Sequence, residues 1–172
     1  MATPVDILSL IAARRERRPA RVSGVLDALF SRLAAARHPR DATRIEERIW
    51  EAWMGHPHRA AAQALELATR DIAARRYDIA ETRLTMLLRH DPGYAEAWHK
   101  RATLYYLLGR DDECLEDIRR TLALEPRHFA AILHFVEILL ASGARADVRY
   151  ACFAALTLHP HLRRARELLD MH

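Results

Sequence analysis

Two short strings, His56-Pro57-His58 and His159-Pro160-His161, put an imidazole on each side of a proline, in a chain that carries ten histidines. Imidazoles so placed raise the prospect of metal ligation or acid–base catalysis. A zinc site needs three or four converging ligands, commonly His and Cys. Two histidines that flank a proline tend to diverge, no third ligand stands at a familiar spacing, and H-E-x-x-H is absent. The residues therefore predict exposed turn histidines and no metal site, with a cryptic metal centre as the competing reading. Cys114 and Cys152 form neither a metal motif nor a disulfide framework, and both read as buried free thiols.

Other chemistry is thinly represented. No nucleophile elbow, phosphate loop or dinucleotide fingerprint occurs, and five glycines could hardly furnish a phosphate cradle. The acid pair Asp111-Asp112 suits a helix start, where carboxylates complement the dipole. No nucleophile–base pair stands out. The expectation is a protein without catalytic residues or cofactor. Arginines supply nearly all the basic charge, the net charge is +4, and Arg14, Arg15, Arg17, Arg18 and Arg21 crowd one stretch near the start. Such an arm could meet nucleic-acid phosphates or anionic lipid headgroups. No aromatic side chain interleaves with it, which argues against base stacking. Its cations follow an apolar stretch rather than precede it, so it does not read as a secretory signal, and a cytoplasmic location is expected for the chain as written, with export if the true N-terminus differs.

The elements that would position these groups are helices. Ala, Leu, Arg and Glu dominate, and strand-type alternation does not recur. Pro92, Pro126 and Pro160 recur at one constant interval, in the matching contexts "LLRHDPGY", "LALEPRHF" and "LTLHPHLR". Each proline ends a leucine-rich helix and starts a turn. Aligned on them, residues 61–94, 95–128 and 129–162 form three units. Their eighth places hold Ala68, Ala102 and Val136. Their fifteenth places hold Arg75, Gly109 and Gly143, the mid-unit turn.

In the middle unit Trp98, Ala102, Tyr105, Gly109, Cys114, Ile118 and Pro126 follow a W…A…Y…G…A…F/Y…P pattern. In pattern and in period this resembles the tetratricopeptide repeat, a helix–turn–helix unit. Arg101 and Thr121 depart from it, where Leu and Ala are usual. The phrases "KRATLYYLLGR" and "DIRRTLALEPRHF" are similar to a bacterial subgroup mostly without assigned function, many of whose members carry an export signal. The resemblance implies an all-α, right-handed solenoid. Residues 25–60 read as a degenerate helix pair that caps the N-terminal end, and residues 163–172 as an amphipathic capping helix. Residues 1–24 read as a mobile arm, with about one helical turn near Val5–Arg15.

In that family the first helix of each unit lines a concave groove. Carried over by position, the groove here holds Leu65, Thr69 and Ile72; then Glu96, His99, Thr103, Tyr106 and Leu107; then Leu133 and Glu137. Lys100 offers a single further contact. The set is apolar with a few polar marks and suits a protein segment. Leu65 and Thr69 stand where clamps for C-terminal carboxylates place Lys and Asn, so that mode is not expected. The same positions could instead meet the N-terminal arm or a dimer partner. The implied function is a non-catalytic interaction scaffold that binds a protein or peptide. The alternative is an adaptor held to a membrane or nucleic acid by the arginine arm. Trp98, Ala102 and Tyr105 are predicted to pack on the second helix of their unit.

Overall fold

Each unit turns at its fifteenth residue through a left-handed backbone step. Gly109 and Gly143 have φ of 68° and 76°, and Arg75 takes the same conformation at 57°. The turn closes the same way in all three units. Arg76 N–H donates to the Asp71 carbonyl, Arg110 N–H to that of Tyr105, and Ala144 N–H to that of Leu139, the long-range bond of a Schellman cap. An L-residue in this conformation costs about 1–2 kcal/mol, and glycine's greater freedom when unfolded returns about half of that. Arg75→Gly is therefore expected to raise stability by about 0.5–1 kcal/mol in denaturant unfolding; a loss of stability would show that the Arg75 side chain contributes more than its backbone costs.

The computed structural model describes residues 1–16, 19 and 23–171. Among them are ten α-helices and a short 3-10 turn at Ala13–Arg15: α1 Pro4–Ala12, α2 Gly24–Ala34, α3 Pro39–Met54, α4 Arg59–Ala73, α5 Tyr77–His90, α6 Ala95–Leu107, α7 Asp111–Leu124, α8 Phe129–Ala141, α9 Arg145–Leu158 and α10 Arg163–Met171. The pairs α4–α5, α6–α7 and α8–α9 are the three repeat units. They stack in order, α5 on α6, α7 on α8 and α9 on α10, which builds an α-solenoid. None of these helices is long and apolar enough to cross a membrane.

The two departures in the middle unit both bond to Asp117, Arg101 at its carboxylate and Thr121 at its backbone carbonyl. Arg101 donates twice to the buried Asp117 carboxylate at 2.7 and 2.9 Å, and its guanidinium lies 4.9 Å from the Trp98 ring centroid. The Thr121 hydroxyl donates to the Asp117 carbonyl at 2.8 Å. Ala102 and Tyr105 are buried and Trp98 half-buried, its indole N–H donating to the Pro92 carbonyl. Burial raises the Asp117 carboxyl in spite of the facing arginine. Cys114 and Cys152 are free and buried.

Residues 1–12 are not a free arm. Thr3 and Asp6 form a capping box that starts α1, and the helix lies against α7 and α9 with Ile7 and Ile11 fully buried. The pair α2–α3 does not stack on the first unit as a cap. Its buried side chains, Leu26, Leu29, Phe30, Leu33, Ile45, Ile49 and Trp53 among them, join one core with α7, α8 and α9, whereas α4 and α5 enclose a separate core around Leu65, Leu84 and Leu88. The pair instead lies across the three inter-unit turns. Tyr94 Oη–H donates to the Met54 carbonyl, and His56, just beyond α3, pairs with Asp91 at 2.6 Å. Arg127 donates to Asp27 at 2.7 Å, and the His128 ring stacks on Trp53 at 4.0 Å and 7°. His159 pairs with Glu46 at 3.1 Å, and His161 donates to the Ala36 carbonyl at 2.8 Å. The two His-Pro-His strings thus dock helices rather than decorate exposed turns: the side chain of His56 and all of His159 are buried, while His58 stays exposed.

Candidate functional site: a half-covered concave face

The residues expected to line a groove lie on α4, α6 and α8, and α3 covers part of α6. Trp50 of α3 sits 5.9 Å from the His99 ring, and the Lys100 ammonium lies 5.1 Å from the Trp50 centroid. Beneath this lid Glu96 is wholly buried. It meets His99 Nδ1 at 3.3 Å, Lys100 Nζ at 3.2 Å and His128 Nε2 at 2.8 Å. His134 stacks on His99 at 5.0 Å, and Tyr106 on His134 at 5.9 Å. The result is a polar layer inside an apolar seam, centred on one carboxylate.

Glu96, His99 and His128 bring three ligand-type atoms within 4.8 Å of one another, which is the composition of a metal set. Proton placement tells against it. His128 caps α8 by accepting the Ala131 N–H at Nδ1, so its Nε2 bears the hydrogen and donates to Glu96. That nitrogen has no lone pair to give a cation, and Lys100 already brings positive charge to the carboxylate. The cluster reads as a buried charge-and-hydrogen-bond network, which the sequence reasoning missed because His128 and Glu96 lie 32 residues apart.

Burial disfavours the Glu96 carboxylate, yet His99 and His128 more than offset it and hold the carboxyl well below its ordinary range. Burial lowers His99 to about 3 despite Glu96. His134 falls to about 4, again mainly through burial, with His128 and Lys100 acting the same way. Both imidazoles are neutral when folded at pH 7 but regain an ordinary value near 6.5 when unfolded. Between those values the unfolded chain binds more protons, so stability is complete above pH 6.5 and falls as acid is added. One such histidine gives a slope of about 1.4 kcal/mol per pH unit. Urea unfolding at about pH 7 and about pH 5 should show that loss; a flat profile would mean the cluster is hydrated.

The anticipated groove residues do not share one environment. Leu65 is not in the groove: it is fully buried in the core of the first unit, and Ile72 packs beside it. Glu96, His99 and Lys100 lie under α3. Leu133 is half-buried against the main core, and Glu137 accepts two bonds from Arg164 of α10 at 2.8 and 3.1 Å. Thr69 and Thr103 turn their hydroxyls back to the carbonyls of Leu65 and His99. Tyr106 and Leu107 remain outward, 39% and 51% exposed. Of the arginine arm, Arg14 donates to the Ile11 carbonyl and to Thr157 Oγ. Arg17, Arg18 and Arg21, and the side chain of Arg15, lie outside the described residues.

Three stacked units of equal length, each pivoting on a left-handed turn, define a solenoid of the tetratricopeptide class. The family model for the tetratricopeptide repeat matches residues 95–128, the middle unit. A TPR repeat-containing protein of Rhizobium etli is 32% identical over 146 residues, which are 85% of this chain and 72% of that protein. The chain belongs to the tetratricopeptide repeat proteins. A solved structure of a MamA mutant shares the fold, with a TM-score of 0.54 at 16% identity over 86% of this chain and 83% of its own. Proteins of this family and fold are in general non-catalytic scaffolds for protein–protein interaction.

Proposed function

We propose that the protein is an interaction scaffold that takes a segment of another protein along the uncovered part of its concave face. The contact centres on Tyr106 and Leu107, with Thr103 beside them and Thr69 on the preceding unit. The observation that carries this reading is the exposure of Tyr106 and Leu107 on the same helix whose first turns are sealed by α3. Half of one helix face is finished by the chain itself, and the remaining half presents a tyrosine, a residue type enriched at binding hot spots. The neighbouring α3 supports an amphipathic helix as ligand, because it already meets this face with Trp50.

The test is affinity capture with the full chain as bait, followed by titration of the recovered partner against variants. Tyr106→Ala and Thr103→Arg are each expected to weaken binding by about tenfold or more, since a truncated hot spot costs upwards of about 2 kcal/mol. Both side chains are at least partly exposed, so the fold should be kept. Capture that survives both changes would move the binding surface elsewhere.

A further inference from the structure

The two ends of the solenoid are finished differently. At the C-terminal end α10 packs on α9, with Ala165 and Leu168 buried. At the N-terminal edge the faces of α4 and α5 are left bare, because α2–α3 has gone to the turns instead. A groove of about 840 Å³ runs between α4 and α5 there. Its α4 wall is a trough of small residues, Ala60, Ala61 and Ala64, and its α5 wall is a ridge carrying Ile79 and Met86. Those two side chains are 49% and 55% exposed. The stacked edges within the chain, α5 on α6 and α7 on α8, each cover such a surface with a helix.

We propose that this edge is a two-fold interface with a second copy of the chain. The shape is self-complementary. A ridge of large side chains lies beside a trough of alanines, so a two-fold rotation sets each copy's ridge into the other's trough, as an isologous contact requires. The charges agree with the same operation. Asp78 stands at one end of the groove and His90 with His58 at the other, where Asp91 is held by His56; Arg83, between them, is held by Asp71. Asp78 and His90 are separated by about 18 Å along α5 at the helical rise per residue. An antiparallel α5–α5 pairing brings each Asp78 to the partner's histidine end, twice per dimer. With the axis level with Thr82, Ile79 of one copy lies level with Met86 of the other, each in the facing trough, and each Asp78 lies within about one helical turn of the partner's His90. A parallel or head-to-tail arrangement loses these pairings.

Sedimentation equilibrium of the full chain from about 1 to 200 µM, a range that spans ordinary self-association, is expected to show a monomer–dimer equilibrium that stops at the dimer. The double variant Ile79→Asp/Met86→Asp should be monomeric throughout with unchanged helical circular dichroism, as both sites are exposed. Asp78→Lys and His90→Glu should each raise the dissociation constant several-fold, and together they should restore it. Thr82→Cys should give a disulfide-linked dimer on mild oxidation, without interference from the buried Cys114 and Cys152. A wild-type chain that stays monomeric, an open-ended series of oligomers, or a dimer indifferent to Ile79→Asp/Met86→Asp would overturn the proposal. Failure of the charge exchange and the crosslink alike would overturn the antiparallel two-fold.

Discussion

Trp53→Ala lowers the unfolding free energy by about 3–5 kcal/mol, the range for truncating a large buried aromatic, and the loss falls on α2 and α3. Trp53 packs against four aromatic rings. It stacks on His128 at 4.0 Å and meets Phe129 at 5.1 Å, Trp50 at 5.3 Å and Phe30 at 6.0 Å. Removing it leaves a cavity between α3 and the turn that opens α8. The core around α4 and α5 does not share these contacts. Amide exchange should therefore show α2 and α3 losing protection while α4 and α5 keep theirs. Among the described residues the indole nitrogen of Trp53 is buried without a hydrogen-bond partner. Trp53→Phe should thus cost well under half as much, because it keeps most of the packing and removes an unsatisfied donor. If Trp53→Ala lowered protection evenly over all helices, α2–α3 would be integral to every unit and not a separately docked pair.

Glu96→Gln is the second large effect, also about 3–5 kcal/mol, the usual consequence of removing one partner from a buried charge network. The carboxylate accepts from His128 and His99 and faces the Lys100 ammonium. A glutamine can keep one acceptor, but its amide hydrogens must face either Lys100 or an imidazole N–H. Taking away the facing cation as well should recover much of the loss, so Glu96→Gln/Lys100→Met is expected to be more stable than Glu96→Gln alone. Denaturant unfolding of the two single variants and the pair gives the coupling. A double variant no better than the glutamine alone would show that Lys100 is effectively solvated and that the histidines carry the network.

The repeating part of the fold was legible because local rules fix it. A proline at a constant interval ends each second helix, and Gly109 and Gly143 mark turns that need a positive φ. The departure at Arg101 was visible as a departure, but its reason was not, since the Asp117 carboxylate answers it from the next helix; the Thr121 hydroxyl bonds back to a carbonyl of its own helix. Ile45, Ile49 and Trp53 recur at helical spacing, which puts them on one face without showing against what it packs. That choice depends on His128 and Phe129, which come far later in the chain. Position along a helix puts Tyr106 on an exposed face, but it fails for Leu65, whose face turns into the core of its own unit. The first helix carried a signal that went unread: Thr3-Pro4-Val5-Asp6 is a capping box with proline at the first helical place, which reads as a helix start on its own.

The docking of α2–α3 across the turns also bears on how the chain reaches its native state. An array of units that touch only their neighbours has mostly local contacts and can fray from either end. Here Asp27 meets Arg127 across 100 residues, Glu46 meets His159 across 113, Ala36 meets His161 across 125, and Arg14 meets Thr157 across 143. Such closures raise the contact order far above that of a plain array, and so slow folding. They also tie the last two units to the first helices, so those parts unfold together rather than unit by unit, while α4 and α5 keep a core of their own. During synthesis α1, α2 and α3 leave the ribosome first, yet the surfaces that bury Trp53, Phe30 and Ile11 are made last.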